Sequence, residues 1–365
     1  MNICIIGDGL TSLSLAKNLI DKKINVHFYH KKKYRNFLSN RTIGISNNNI
    51  KFFKKEIQKI SGKNLWKIKK IEIYSEKFGN ENLLSFEKNK KDLFYIVKNS
   101  DLYNLLINKI SKNKFFKKRL IKNVSFYENL LKQNKYDLII NCDSGNFLTK
   151  KFFAKKIDKN YNNLAYTTII KHKKIDNNIA NQIFTKNGPI AFLPISNNKT
   201  SIVFSLDIKN KKYKNSEVLN LIKKHNPKYQ IQKTHKLTSF KLSLSNLRNY
   251  HHKNILAFGD LFHRIHPLVG QGFNMTIRDI KILSEIIQNK IDIGMPLDSL
   301  ILNDFEKKTK VKNFLFSNSV DLIYEVFNLD KKNKNNGFNK FLKIIGKNKI
   351  LTDYFIKLAD KGLDI

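Results

Sequence analysis

The sequence predicts an α/β protein: a parallel sheet flanked by helices, an antiparallel sheet after it, and a helical C-terminal region. Three observations carry this. The chain opens on "NICIIGDGLTSLSLAKNLIDKK", a continuous apolar run, a glycine turn and an apolar pattern at helical spacing, the order that starts a buried parallel sheet. From about Leu164 the texture changes to runs bounded by Gly, Pro, Asn and Lys, as antiparallel strands are. From Ser299 to Ile365 the pattern is mostly helical, with one polar loop, "LDKKNKNNG".

In chain order, "NICIIG" reads as a strand buried on both faces, "SLSLAKNLIDKK" as a helix and "INVHFYH" as a second strand. This unit of about 30 residues begins a dinucleotide-binding fold. "NNIKFFKKEIQKI" and "SDLYNLLINKISKN" are amphipathic helices, and "KYDLIINCDSG" is a further buried strand. "LAYTTIIKHKK", "GPIAFLPIS" and "KTSIVFSLDIK" are the antiparallel strands. "KNILAFGD" returns to the buried-strand pattern, and "MTIRDIKILSEIIQNK" is a helix.

A chain of 365 residues is expected to make two or more folding units. No run of about 18 apolar residues occurs, so no membrane-spanning helix is expected. The strand at the N-terminus has no basic region ahead of it, so no signal peptide is expected, and the expected location is cytoplasmic. Cys4 and Cys142 fall in apolar runs that read as buried strands and give neither a disulfide framework nor zinc spacing. The net charge of +40 suggests a polyanion partner. Arg, the preferred reader of phosphate and base edges, appears only at positions 35, 41, 119, 248, 264 and 278. The basic runs are scattered among loops, and Lys, Asn, Ile and Phe share AT-rich codons. The excess is therefore read as solvated surface, without nucleic-acid binding and with some attraction to anionic membrane.

Two stretches carry chemistry. In "GDGLTS", Gly7 permits a tight turn, Gly9 lets backbone approach a pyrophosphate at the helix N-terminus, and Ser12 takes the place of the third glycine. His30 stands where an acidic ribose ligand is expected. In "FGDLFHRIHPLVGQGFN", His263, His266 and Asp260 raise three readings: a metal site, an acid/base pair or structural histidines. Metal needs three or four converging ligands and no further cluster is near, so no metal is assigned. Acid/base work by either histidine stays open, with a satisfied structural histidine preferred. The glycines give a fuller account. Asp260 ends a buried strand and suits a sugar hydroxyl, while "GQG" opens a helix whose free amides suit a planar or anionic group.

"FGDLFHRIHPLVGQGFNMTIRD" resembles the second flavin-binding motif of the aromatic-ring hydroxylases of the p-hydroxybenzoate hydroxylase type, within that group most the ubiquinone-biosynthesis hydroxylases. Their pattern of Gly-Asp-Ala-Ala-His, His-Pro, Gly-Gln-Gly, Asn and a later Asp falls on Gly259, Asp260, His263, His266, Pro267, Gly270, Gln271, Gly272, Asn274 and Asp279, with Leu261 and Phe262 at the two alanines. "RTIGISNNNIKFF", "LFYIVKNSDLYNLL", "NGPIAFLPI" and the C-terminal tail resemble other family segments, so the likeness covers nearly the whole chain. One motif departs. The family's Ala-Asp-Gly with a following Ser and Arg becomes "CDSGNFLTK", with Asp143 kept, Ser144 at the glycine and Lys150 at the arginine.

The resemblance implies a Rossmann-like FAD-binding domain from residues 1–68, 95–163 and 250–298, an antiparallel-sheet substrate domain from 69–94 and 164–249, and C-terminal helices over 299–365. It implies FAD as cofactor and NAD(P)H as co-substrate. O2, activated as a flavin C4a-hydroperoxide, would hydroxylate a hydrophobic polyprenylated phenol in ubiquinone biosynthesis. FAD contacts are expected from Gly7, Gly9, Ser12, His30, Arg41, Asn99, Asp143, Asp260, Gly272 and Asn274. Pro267, Gly270 and Gln271 are expected by the flavin ring, with His266 adding polarity. Other ubiquinone-biosynthesis proteins and an anionic membrane surface are the expected partners, with the protein peripheral on the inner face of the membrane. Two other readings stay open: a flavin oxidoreductase on another aromatic or isoprenoid substrate, and a weakly active flavin-binding scaffold in a biosynthetic complex, suggested by "CDSGN".

Overall fold

The computed structural model describes residues 1–31, 41–76, 81–88, 91–209, 211–265, 270–333 and 337–363. The chain runs β1 (Asn2–Ile6), α1 (Leu10–Asp21), β2 (Asn25–His30), β3 (Thr42–Ser46) and α2 (Asn47–Phe52), whose end widens into a π-helical turn over Phe53–Ile57. It continues through β4 (Trp66–Ile68), β5 (Lys70–Ser75), β6 (Glu81–Glu87), β7 (Phe94–Lys98), α3 (Asn99–Ile110), β8 (Phe116–Leu120), α4 (Ser125–Lys132), β9 (Leu138–Asn141) and α5 (Phe147–Phe152). Next come β10 (Lys156–His172), β11 (Ile179–Thr185), β12 (Gly188–Ser196), β13 (Lys199–Asp207), α6 (Asn215–Lys224), β14 (Ile231–Thr234) and β15 (Thr238–Leu247). The chain ends with β16 (His251–His252), β17 (Ile255–Ala257), β18 (His263–Arg264), α7 (Gly272–Asp292), α8 (Leu300–Asn333), α9 (Gly337–Lys347) and α10 (Lys349–Lys361).

The first sheet has the order β16-β17-β9-β1-β2-β8, parallel from β17 to β8. Its central strands are apolar end to end because helices cover both faces. Ile3, Cys4, Ile5 and Ile6 are fully buried, and Leu13, Ala16 and Leu19 of α1 pack on them with Ile277, Ile280 and Leu283 of α7. β8 is different. Its sequence "FKKRL" buries only Phe116, as an edge strand allows, and the Lys-rich run hid it from a reading based on buried-strand pattern.

The second sheet runs β18-β15-β10-β13-β12-β11-β5-β6, with β14 added beside β10. All its pairings are antiparallel except β11 with β5. A third sheet, β3-β7-β4, joins the two. Its Ile68, Ile96 and Trp66 pack against Leu193 and Ile195 of β12, and Thr42 Oγ1 donates to Ser201 Oγ at 2.9 Å. α9 lies on β6, where Leu342 and Ile345 pack on Leu83, Leu84 and Phe184.

Candidate active site

From β1 the chain moves to β2 and β8 on one side. It later crosses back to β9 and β17 on the other. That reversal makes the carboxyl ends of β1 and β9 a topological switch point, where open α/β sheets bind ligands. Three turns meet there. Cys142 N donates to Ile6 O at 2.8 Å, Phe258 N to Asn141 O at 2.9 Å and Gly7 N to Tyr29 O at 2.9 Å. The residues after β1, β9 and β17 therefore leave the sheet side by side.

Gly7 has φ +123°, and a Cβ there would lie 3.1 Å from Ser12 Oγ and 3.3 Å from Cys142 Cβ. Ser12 is fully buried beneath the turn, so the third position of the fingerprint is filled by a small residue. Gly9 caps α1 in extended backbone without a side-chain cap bond, and beyond its chain neighbours no described atom lies within 4 Å of where its Cβ would be. The first turn of α1 thus offers backbone amides beside open space.

The turn after β17 presses on α1. Gly259 has φ +68°, and a Cβ there would meet Thr11 Cγ2 at 2.5 Å. This close approach sets Asp260, exposed, beside the N-terminus of α1. Arg41 lies within reach of the Asp260 charge. Burial by the surrounding walls lowers the guanidinium pKa and Asp260 raises it, and an arginine stays charged under that balance. Arg41 is nevertheless exposed by surface area, so the walls screen it without sealing it. Its Cζ sits 4.2 Å from the Phe240 ring centre, and its carbonyl accepts from Asn99 N at 2.9 Å. Asn99 Oδ1 is buried with no partner among the described residues.

The departed motif has become a braced turn. Asp143 Oδ1 accepts from Gly145 N at 2.9 Å, and Thr149 Oγ1 donates to Asp143 O at 2.7 Å. Asn141 and Asn146 exchange amide bonds at 3.2 and 2.7 Å. Lys31, at the end of β2, reaches across β1 to place Nζ 3.2 Å from Asp143 Oδ2. His30 Nδ1 lies 3.2 Å from Lys31 O, and Lys150 is exposed on α5. Cys142, expected in a buried strand, stands just past β9 and is only partly buried by surface area. Burial by its neighbours pushes its thiol up to about 12.

At the entrance to α7, Gly270 has φ +61°, and apart from chain neighbours and the helix's own backbone no described atom lies within 4 Å of a Cβ at Gly270 or Gly272. Gln271 is 6% exposed, with Oε1 unpartnered among the described residues. Asn274 spends its amide on protein: Nδ2 donates to Gly44 O at 2.9 Å and Gly270 O at 3.3 Å, while Oδ1 accepts from Ser46 N at 2.9 Å. Its side chain therefore ties the loop to β3. His266 and Pro267 lie outside the described residues. His263 is framework: Nε2 is hydrogen-bonded to Asp279 Oδ2 at 2.5 Å, and Asn313 Nδ2 donates to Asp279 Oδ1 at 2.9 Å.

This arrangement fits FAD. An uncapped helix N-terminus suits the pyrophosphate. The exposed Asp260 carboxylate would suit a sugar hydroxyl, and the Asn99 and Gln271 oxygens are buried without a partner among the described residues. The glycine positions leave room for a flat ring. Sequence reasoning missed three contributors: Thr11, Lys31 and Phe240. Lys31 carried no signal in a chain so rich in lysine, and Thr11 and Phe240 act through contacts made only on folding.

The fold is shared with solved flavin enzymes. The p-nitrophenol 4-monooxygenase PnpA of Pseudomonas putida superposes with a TM-score of 0.75 at 11% identity, covering 98% of this chain and 97% of that one. PqsL of Pseudomonas aeruginosa, a probable FAD-dependent monooxygenase, gives 0.70 at 13% identity over 94% and 99%. Among sequence relatives, the mitochondrial ubiquinone biosynthesis monooxygenase COQ6 of Dictyostelium discoideum is 24% identical, over 89% of this chain and 84% of its own. The 3-demethoxyubiquinol 3-hydroxylase of Escherichia coli is 30% identical over 40% and 39%. Fold, site and relatives define the class: an FAD-dependent monooxygenase of the p-hydroxybenzoate hydroxylase type. Within it, residues 135–342, more than half of the chain, match the family model described as squalene epoxidase, and the chain belongs to that family.

Proposed function

We propose that this protein hydroxylates the aromatic ring of a polyprenylated phenol in ubiquinone biosynthesis, with FAD as cofactor and NAD(P)H and O2 as co-substrates. The carrying observation is the meeting of the Gly7–Gly9, Asp143 and Gly259–Asp260 turns at one switch point. The chain that builds it also aligns along most of its length with a ubiquinone biosynthesis monooxygenase.

Bound FAD supplies the redox chemistry, taking reducing equivalents from NAD(P)H and activating oxygen. The chain's own residues bind, orient and shield. Gly7, Gly9 and Ser12 seat the pyrophosphate on α1. Asp260 and His30 take sugar hydroxyls, and Arg41 and Asn99 flank the cofactor. Asp143, held by Lys31, supports the same turn. Gly270, Gln271 and Gly272 lie at the flavin ring, with Pro267 and His266 preceding them. The proposed division of labour cuts across the second sheet, since β10 (Lys156–His172) spans the boundary at 163 and β18 (His263–Arg264) falls in the FAD range. Residues 1–68, 95–163 and 250–298 hold FAD, residues 69–94 and 164–249 wall the substrate, and 299–365 cover them. The apolar side chains of β12 that pack with Trp66 and Phe94 support a dry substrate chamber.

The substrate class supports work at a membrane surface. Among the described residues no helix is long and apolar enough to cross a membrane. The C-terminal helices expose Val311, Leu322, Ile344 and Ile350, the last at 80%, among lysines, which suits peripheral binding to anionic lipid. Co-sedimentation with anionic vesicles should exceed that with neutral ones; equal recovery removes this part of the proposal. Contact with other ubiquinone-biosynthesis proteins belongs to the same reading.

The test is an absorption spectrum of the purified protein, followed by anaerobic NAD(P)H and turnover with a polyprenyl phenol. A flavin spectrum that bleaches, and a hydroxylated ring product, are expected. The family description favours one other reading, oxygen transfer to an isoprenoid double bond; squalene converted in place of the phenol would establish it. Flavin that NAD(P)H leaves oxidised would mark a scaffold, the outcome that the Ser144 and Lys150 departures motivate.

A further inference from the structure

We propose that Asp360, in the last turn of α10, is a positioning residue for the glycine loop that opens α7. This rests on reading Gly270–Asn274 as part of the flavin site. That loop has a difficulty of its own. Gly270 and Gly272 leave space for a ring, and for that reason they carry no side chains that could fix the backbone. Its position has to come from neighbours.

The neighbours form a chain of hydrogen bonds that ends at Asp360. Asn274 Nδ2 donates to Gly270 O on the loop and to Gly44 O on β3. Asn274 Oδ1 accepts from Ser46 N at 2.9 Å and from Asn49 Nδ2 at 3.0 Å. Ser46, and Asn48 beside Asn49, are held in turn from the C-terminus. Ser46 Oγ donates to Asp360 O at 3.0 Å, and Asn48 N donates to Asp360 Oδ1 at 2.7 Å. Asp360 thus supplies a carboxylate acceptor to an otherwise free amide of α2 and a carbonyl to its cap residue. One bond holds the residue whose N–H grips Asn274, and the other holds the residue next to Asn49.

The tail is seated firmly enough to transmit this. Leu358 and Leu363 pack on Ile265, Met275, Phe316 and Val320. Gly362 turns with φ +76° so closely over Arg278 that a Cβ would stand 3.0 Å from the guanidinium. Residues more than 300 positions apart therefore meet at the start of α7. The C-terminal turn preorganises a loop whose composition leaves it soft.

The test compares the full chain with Asp360→Ala and Asp360→Asn, since an asparagine oxygen still accepts from Asn48 N. Amide hydrogen exchange in flavin-free protein should speed up at residues 270–274 in Asp360→Ala, by about three- to tenfold for one lost hydrogen bond. Exchange in β1 and α1 should stay unchanged, and Asp360→Asn should restore the wild-type rate. After reconstitution, flavin should dissociate faster from Asp360→Ala by a similar factor. Unchanged exchange at 270–274, a uniform rise along the chain, or an Asp360→Asn variant as impaired as Asp360→Ala would each overturn the proposal. The exchange measurement needs no flavin, so a wild-type chain that binds none would sink the flavin reading while exchange still decides the role of Asp360.

Discussion

His263 Nε2 and Asp279 Oδ2 are 2.5 Å apart, and both side chains are 1% exposed. The pair joins the strand after the Gly259–Asp260 turn to the middle of α7, and Asn313 extends it to α8. His263, one of the two histidines that raise a metal or acid/base reading in the sequence, is thus a strut between three elements.

Removing one partner leaves the other buried without compensation. His263→Ala should destabilise the fold by about 3–5 kcal/mol. Asp279→Asn should cost less, since its amide still meets both neighbours. Chemical denaturation of the flavin-free variants checks the order, and a His263→Ala midpoint equal to wild type would refute the strut.

Gly9 separates cofactor binding from folding. Aspartate there would cap α1, and the open space admits its side chain. Gly9→Asp should leave stability unchanged or raise it by up to about 1 kcal/mol. The carboxylate would also occupy and repel the pyrophosphate position, so flavin affinity should fall by about 100-fold or more. Melting and flavin titration together read this opposition, and retained affinity would move the pyrophosphate elsewhere.

Gly259 fails for the opposite reason. Gly259→Ala would put a methyl group against Thr11 Cγ2 in a left-handed backbone, at a cost of about 2–4 kcal/mol. Adding Thr11→Ser removes the offending methyl and should recover part of the loss. A double variant no better than the single one would show that backbone strain, and not the contact, dominates.

Glu306 gives the fold a pH dependence. Burial alone would raise its pKa, but hydrogen bonds from Lys310 and Tyr250 N, then His251, overcome it and hold the carboxyl below its usual value. A folded-state pKa depressed below the unfolded one contributes stability above the unfolded value, near about 4.3, and loses it as pH falls through the folded value. Glu306→Gln should therefore flatten the fall in stability below about pH 5. Denaturation midpoints from pH 7 to pH 3 measure it, and parallel curves for the two proteins would count against this role.

The sequence by itself determined the local grammar. Buried parallel strands announce themselves as unbroken apolar runs, which is why β1, β2, β9 and β17 were legible. Glycines at strand ends mark turns where backbone must approach something, which is why Gly7, Gly9, Gly259 and Gly270 were legible too. An edge strand is half solvated and needs no such run, so "FKKRL" passed unseen as β8. Only the tertiary structure decided which of these turns share one edge of the sheet. It alone placed Thr11 beneath Gly259, Lys31 across β1 to Asp143, and Asp360 behind the loop at Gly270. The physical reason is range. Helix period, strand burial and turn conformation are set by residues a few positions apart. The site is set by contacts between segments tens to hundreds of positions apart, whose partners become neighbours only when the sheets close.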